Sequence, residues 1–360
     1  MTYPIIVIAN RMAQLLKIAE DKPEDGAILR EVKRRVWWSL YLIDRWASAG
    51  LGLPRQFHIG GRAPRLPMDE VDFSNMSSIN GVEELQWQPG LWSRMITLVQ
   101  IFRHIQDLNR TLVESTRWNE EYIESAVLSL SKQLTDFEDE LPPTLVFTSE
   151  NLALQIERGV GGAFVALHLG YHHYATLLYY QYLDQYRPPA QNGRMYAQWC
   201  KYHATAFCEL LQSSKIYRQA EALYNIVGHM TVVSSSVLLH TLLFGHENEL
   251  QIARQRLESN FQALVRLREF WPSVNQMMNR LITFQNACLR TALLETHRFD
   301  KWMVKFLLQH ALALDEKMES ATLTGTGLEQ FSARNEQLVE RSRVTGSIIR
   351  GTRIDFETSI

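Results

Sequence analysis

Breakers and cysteines are scarce in this chain. Its 360 residues hold only 18 Gly, 11 Pro and 3 Cys. So few breakers over this length exclude a many-turned β-protein and favour long helices. Cys200, Cys208 and Cys288 form no Cys-x-x-Cys pair, which excludes a cysteine zinc cluster and a disulfide framework within the chain. On that evidence the chain reads as reduced and intracellular. Excess positive charge is also missing: 37 Lys and Arg against 39 Asp and Glu give a formal net charge of -2. A domain that grips phosphates through bulk charge does not look like this. The aliphatic run at residues 5–8 lacks a basic flank and a full apolar core, so it is not read as a secretory signal.

What is present is a globular composition, 46% apolar, 21% charged and 10% aromatic. The length suits two domains or one large one. Residues 159–183 and 222–246 each contain no Asp, Glu, Lys or Arg. Both are long enough to span a bilayer. However, the first carries His168, His172, His173 and five tyrosines. The second carries Asn225, His229, Ser234, Ser235, Ser236 and His240. Polar residues in such numbers, without basic flanks, predict buried helices of a large domain and no membrane contact.

The periodicity predicts ten helices, over about 3–19, 29–49, 91–112, 119–140, 152–186, 194–213, 218–244, 247–270, 274–296 and 299–316. In the first, Ile6, Met12, Leu15, Leu16 and Ala19 are the apolar residues. In the second, Val36, Leu40, Ile43 and Ala47 form one stripe and Trp37, Tyr41, Asp44 and Ser48 the next. Residues 51–90 show no helical period and hold four prolines, a loop length that usually belongs to a functional or wrapping segment. Weakening is expected at Gly159, Gly161 and Gly162. The expectation is an all-α, large irregular bundle of roughly ten helices with a long Pro/Gly-containing loop after the second. One domain is expected over 1–318, followed by a polar, poorly ordered tail over 319–360 with a short helical pattern at 328–341.

The second helix carries the most informative string: Arg34-Arg35, Trp37-Trp38, Tyr41 and Asp44, then Gly52 and Pro54. It resembles the regulatory middle homology region of fungal zinc-cluster transcription factors, the xylanolytic-activator-type regulatory domain. That family shows Arg-Arg-x-x-Trp-x-x-Tyr-x-x-Asp ending in Gly-x-Pro. Weaker landmarks agree: residues 11–15, Leu66-Pro67 with Asp69 and Asp72, Leu141-Pro142-Pro143, and the helix holding His168 and Tyr180. The resemblance extends over roughly residues 1–315. It implies a transcription regulator in the nucleus, working by effector sensing, autoinhibition or contact with the transcription machinery or a homologous factor, and not an enzyme. Family members also carry a DNA-binding six-cysteine zinc cluster ahead of this region. Nothing here matches it, so zinc is expected only in that missing head and direct DNA contact is not expected from this chain. The string reads as if the chain begins inside the homology region.

Three further constellations were weighed. His168 and His172 share one helical face, a zinc-compatible spacing. Without a third ligand, and crowded by Tyr171 and Tyr174, they read better as core or pocket lining. Asp136-Phe137-Glu138-Asp139-Glu140 is a partial likeness of the aspartate-rich motif of all-helical isoprenoid enzymes, which defines the enzyme alternative. Phe137 interrupts it and no second metal motif follows. A basic run at Lys33-Arg34-Arg35 is too short for a nuclear import signal and lacks neighbours for a nucleic-acid patch. Buried Asp44 needs a partner, for which Arg103 or Arg110 on the next helix were candidates. No catalytic or metal-binding residue is assigned. The best candidate pocket combines the two most aromatic helices: Trp37, Tyr41, His168, Tyr171 and His172. A further alternative is an interaction module that sequesters a DNA-binding relative.

Overall fold

The computed structural model describes residues 3–57, 63–76, 87–115, 119–184, 187–293, 299–315 and 341. They form an all-α bundle of twelve α-helices, in which the only bridge between extended residues joins Met68 to Pro89. The helices are α1 (Tyr3–Leu15), α2 (Ala27–Leu51), α3 (Glu70–Asn75), α4 (Leu91–Glu114), α5 (Glu120–Asp139), α6 (Ser149–Glu157), α7 (Gly161–Tyr179), α8 (Gly193–Ile216), α9 (Asn225–Phe244), α10 (Glu247–Arg268), α11 (Val274–Leu293) and α12 (Lys301–Leu308).

The two charge-free stretches lie at the centre. Helix α7 packs on α4, α5, α6, α8 and α9, and α9 packs on α7, α8, α10 and α11. An apolar helix surrounded on all sides has no solvated face to carry charge. Its polar residues must then find partners inside, and most do. Tyr179 donates to Ser131 Oγ at 2.8 Å, and His168 donates to the Leu145 carbonyl at 3.0 Å. Ser234 donates to the Ala204 carbonyl at 2.8 Å, and Asn260 reaches both Ser234 and Ser235 at 3.2 Å. Helix α9 is long and apolar enough to cross a membrane, yet it is almost entirely buried in the bundle.

The predicted 152–186 helix is two helices. Gly159 adopts φ +75°, a left-handed conformation that ends α6 and that a side chain would strain. Helix α3 lies inside the loop that showed no period. It is six residues long and starts where the Asp69 side chain accepts from the Val71 and Asp72 amides. The predicted 218–244 helix starts later, at Asn225. Most of the 319–360 tail and of the 328–341 pattern lies outside the described residues. Arg341 itself donates to the Leu243 and Gly245 carbonyls at the end of α9.

Helix α1 reverses its expected face. Met12, Leu15 and Leu16 are exposed, as are Ile5 and Ile8, while Asn10 and Ala13 are buried. On α2 the second stripe is the inner one: Trp37, Tyr41, Asp44 and Ser48 are buried, whereas Val36 and Ile43 are exposed.

Candidate functional site

The signature residues of α2 hold the long loop against the helix. Asp44 is wholly buried, and its carboxylate accepts from the Gln56 and Phe57 amides at 3.1 Å. Asn10 of α1 and Ser48 reach the same carboxylate at 3.4 Å. The expected arginine partners are not used. Arg103 lies 3.8 Å from Asp107 instead. Backbone amides supply the short hydrogen bonds to this buried carboxylate, and the neighbouring buried Arg45 adds an ion pair at 4.0 Å. Arg45 donates to the Phe57 carbonyl at 2.7 Å and lies over the Tyr41 ring.

Between three and four turns earlier on α2 the pattern repeats. Buried Glu31 accepts from the Met68 amide at 2.9 Å, while Arg35 binds Glu31 at 3.1 Å and the Met68 carbonyl at 2.8 Å. Trp38 donates to the Arg65 carbonyl at 3.1 Å, and Arg34 pairs with Asp21 at 2.7 Å. Gly52, at φ +66°, closes α2 with its amide on Ala49, and the Pro54 carbonyl accepts from Ser48. Glu70 then accepts from the Leu91 and Trp92 amides at 2.9 and 3.2 Å, capping α4. The signature is thus a clamp that fixes where α4 begins.

The five-residue pocket expected from the sequence is not assembled, because its members face different neighbours. Trp37 and Tyr41 pack on each other, on Trp38 and, through Trp37, edge-on to Phe57 under the clamped loop. His168 lies between Phe147 and Phe164. Tyr171 donates to Glu138 at 2.7 Å, which also removes Glu138 from any acidic metal cluster. His172 shares a proton with His203 across 2.9 Å. Burial holds His168 and His203 down to about 4 and His172 to about 3, so all three imidazoles are neutral near pH 7.

The structure instead opens a cavity where α2, α4, α7 and α9 meet. It is about 60 Å³ and almost wholly apolar, walled by Trp46, Trp92, Met95, Ala166, Val227 and Met230, among others. Trp46, Ile226 and Met230 also wall a second space of about 10 Å³. Its other walls combine apolar Ala49, Phe102, Leu307 and Leu308 with His173 and Tyr174 of α7, His229 of α9 and His310 just after α12. His229 stacks on His310 with ring centres 4.6 Å apart and meets His173 edge-on at 5.7 Å. The His229 Nε2–H donates to the Leu307 carbonyl at 2.9 Å. Trp46 donates to the Tyr174 hydroxyl at 3.1 Å. His173 is 3% exposed and its Nδ1 has no partner. Burial lowers His173 to about 3 and His310 to about 4, and pushes His229 down as well.

This site was hard to find in the sequence. His173 sits beside the expected pair but points to the other side of α7. Trp46, His229 and His310 come together only through packing of distant helices. The one local signal was the set of histidines inside two charge-free stretches.

The competing chemistries find little geometry. Among the described residues, no group of three or more His, Cys, Asp and Glu is placed to hold a metal ion. Asp136 is exposed and pairs with Lys132, while Phe137 is buried. The three cysteines are buried and none is in a disulfide among the described residues. Cys200 and Cys208 lie on α8 and contact backbone carbonyls, Cys288 lies on α11, and such a set does not fit a six-cysteine zinc cluster.

A family model for the fungal specific transcription factor domain matches residues 6–142, somewhat over a third of the chain and less than the 1–315 resemblance. No curated protein and no solved structure matches the chain. The matched segment runs from α1 through the clamp and α4 to the end of α5, and so contains every residue of the Arg34-to-Pro54 signature. Over residues 6–142 the chain is thus similar to the fungal specific transcription factor domain.

Proposed function

We propose that this chain regulates transcription in the nucleus by binding a small-molecule effector in the α2–α4–α7–α9 cavity, without catalysis. The observation that carries this reading is the position of the cavity. Trp46, Trp92 and Met95 belong to the segment matched by the family, whereas Ala166, Val227 and Met230 lie beyond it. A molecule filling that space touches both parts and is able to couple them. Apolar cavities between helices with a few polar groups at one end are common ligand sites. The output is contact with the transcription machinery or a homologous factor. In support of such contact, Ile5, Ile8, Met12 and Leu15 of α1 and Leu29, Val32 and Val36 of α2 are exposed together. With a net charge of -2, the chain on its own is not expected to read DNA.

The test is a thermal-shift screen of small apolar and amphipathic metabolites on the wild type and on Ala166→Leu, which fills the cavity. A ligand at about 100 times its dissociation constant adds about 2.7 kcal/mol of stability. The shift is expected in the wild type and not in Ala166→Leu. Shifts of equal size in both proteins would remove the cavity from the proposal.

A further inference from the structure

Helices α1 and α2 pack side by side and run in opposite directions. Asn10 of α1 reaches Asp44 late in α2. The connecting segment then returns along α2 toward its start, where Asp21 pairs with Arg34 at 2.7 Å and Asp25 with Lys33. Buried Asn10 and Ala13 mark the inner side of α1, and buried Trp37, Tyr41 and Asp44 that of α2. The outer sides face water and are apolar all the same.

Their spacing is regular. On α1, Ile5, Ile8, Met12 and Leu15 follow one another at three, four and three residues, and each is at least 50% exposed. On α2, exposed Leu29, Val32, Val36 and Ile43 follow at three, four and seven, and exposed Ser39 fills the missing position. This is the heptad alternation by which a helix packs along its length against a partner helix. Neither stripe contains a charged residue. The charges beside them are engaged locally: Arg11 donates to Gln14, Lys17 lies 3.9 Å from Glu20, and Lys33 and Arg34 hold Asp25 and Asp21. Such a face has no charge with which to select an acidic or a basic partner. It is complementary to another apolar stripe of the same period, and a second copy of the chain carries one. Two antiparallel helices with outward heptad stripes are half of a four-helix bundle, and a two-fold axis supplies the other half.

The area is sufficient. With Leu16 and Ile28 at the margins, ten large aliphatic side chains of these two helices stand about half exposed. At roughly 100 Å² of water-facing surface each, half the area of a large apolar side chain, they amount to about 1,000 Å². The largest apolar patch of a typical monomer is about 300–600 Å². A standard stable interface takes about 800 Å² from each partner.

We infer that the outer face of α1 and α2 docks a second copy of this chain, giving a two-fold dimer joined by a four-helix layer. This rests on the partner contact proposed above, names the chain itself as the partner, and does not depend on the cavity.

The test is sedimentation equilibrium of the full chain from about 1 to about 100 μM, the range that resolves a micromolar dimer. Twice the mass of one chain is expected at the upper end. Ile8→Lys and Val36→Lys each put a charge into one stripe. Both are expected to keep the helical content of the wild type, because these side chains are exposed, and to weaken self-association at least tenfold. Leu128→Lys, equally exposed but on α5, is expected to leave it unchanged. Should a lysine variant not fold, Ile8→Ser and Val36→Ser are expected to weaken association in the same direction. A chain that stays monomeric throughout overturns the proposal. So does a monomer whose α1–α2 face is protected from carbene labelling, since another segment of the same chain then covers it. Dimers formed equally well by Ile8→Lys and Val36→Lys overturn the assignment to this face. A monomer that still shows the ligand-induced melting shift refutes the dimer alone, and a dimer without that shift refutes the cavity alone.

Discussion

Gly50 leaves no space for a side chain. A Cβ placed there would lie 2.6 Å from the His310 ring, and the following Ala311 amide donates to the Gly50 carbonyl at 3.0 Å. The segment after α12 is thereby pressed against the end of α2, with His310 held at the edge of the smaller space. Gly50→Ala is expected to destabilise the fold by about 1–3 kcal/mol, the usual cost of overpacking. Thermal melts of the variant against the wild type check this. Trp37 behaves differently. It is buried between Trp38, Tyr41 and Phe57 and lines neither cavity. Trp37→Ala is expected to cost about 3–5 kcal/mol, as buried aromatic truncations do, and to leave affinity for a ligand found in the thermal-shift screen unchanged in the folded fraction. A Trp37→Ala protein that melts like the wild type but no longer binds would show that this tryptophan belongs to the ligand site after all.

The element that gives α2 its meaning is the loop it clamps. Asp44 and Glu31 are buried carboxylates that accept from backbone amides of the loop, Asp44 from residues 56 and 57 and Glu31 from residue 68, with Arg35 and Arg34 also pairing with Glu31. Removing such an acceptor strands the donors, at about 1–3 kcal/mol for each buried group left unpaired. Asp44→Ala is therefore expected to free residues 53–57, with faster amide exchange at Gln56 and Phe57 and faster tryptic cleavage after Arg55. Unchanged exchange at those two amides would mean that the clamp is held by Arg45 and the packing alone. Much of this architecture was legible in the sequence. The helix count came close, the charge-free stretches became the buried α7 and α9, and the Arg34-to-Pro54 string lies inside the segment that the family model matches. What was not legible has a common cause. Asp44 was expected to need an arginine because charge is visible in a sequence, whereas amides of an aperiodic loop are not. The outward face of α1 escaped notice because Met12, Leu15 and Leu16 have helical spacing whichever side is buried. The break at Gly159 depends on a left-handed φ that glycine permits without announcing it. The cavity was invisible because its walls come from four helices spread over nearly 200 residues of sequence, from Trp46 to Met230.

At the scale of the whole molecule, the buried histidines dominate the response to acid. His168, His172, His173, His203 and His310 are held at about 3 to 4 in the folded chain, each chiefly by burial, and His229 is lowered too. In the unfolded chain the same imidazoles titrate near 6.5. Above that value both states are neutral at these positions and the histidines do not make stability depend on pH. Between about 6.5 and 4 the unfolded chain takes up protons that the folded chain refuses. The unfolded state then binds more protons, so stability falls as the pH falls through this window. Each fully developed difference is worth on the order of 1 kcal/mol per pH unit, and six such groups act in the same direction. The melting temperature is therefore expected to be nearly flat from pH 8 to pH 7 and to drop steeply between pH 6.5 and pH 5, above the range in which ordinary carboxylates titrate. A profile that stays flat to pH 5 would show that the cluster accepts protons while folded, through water or rearrangement around His173, His229 and His310.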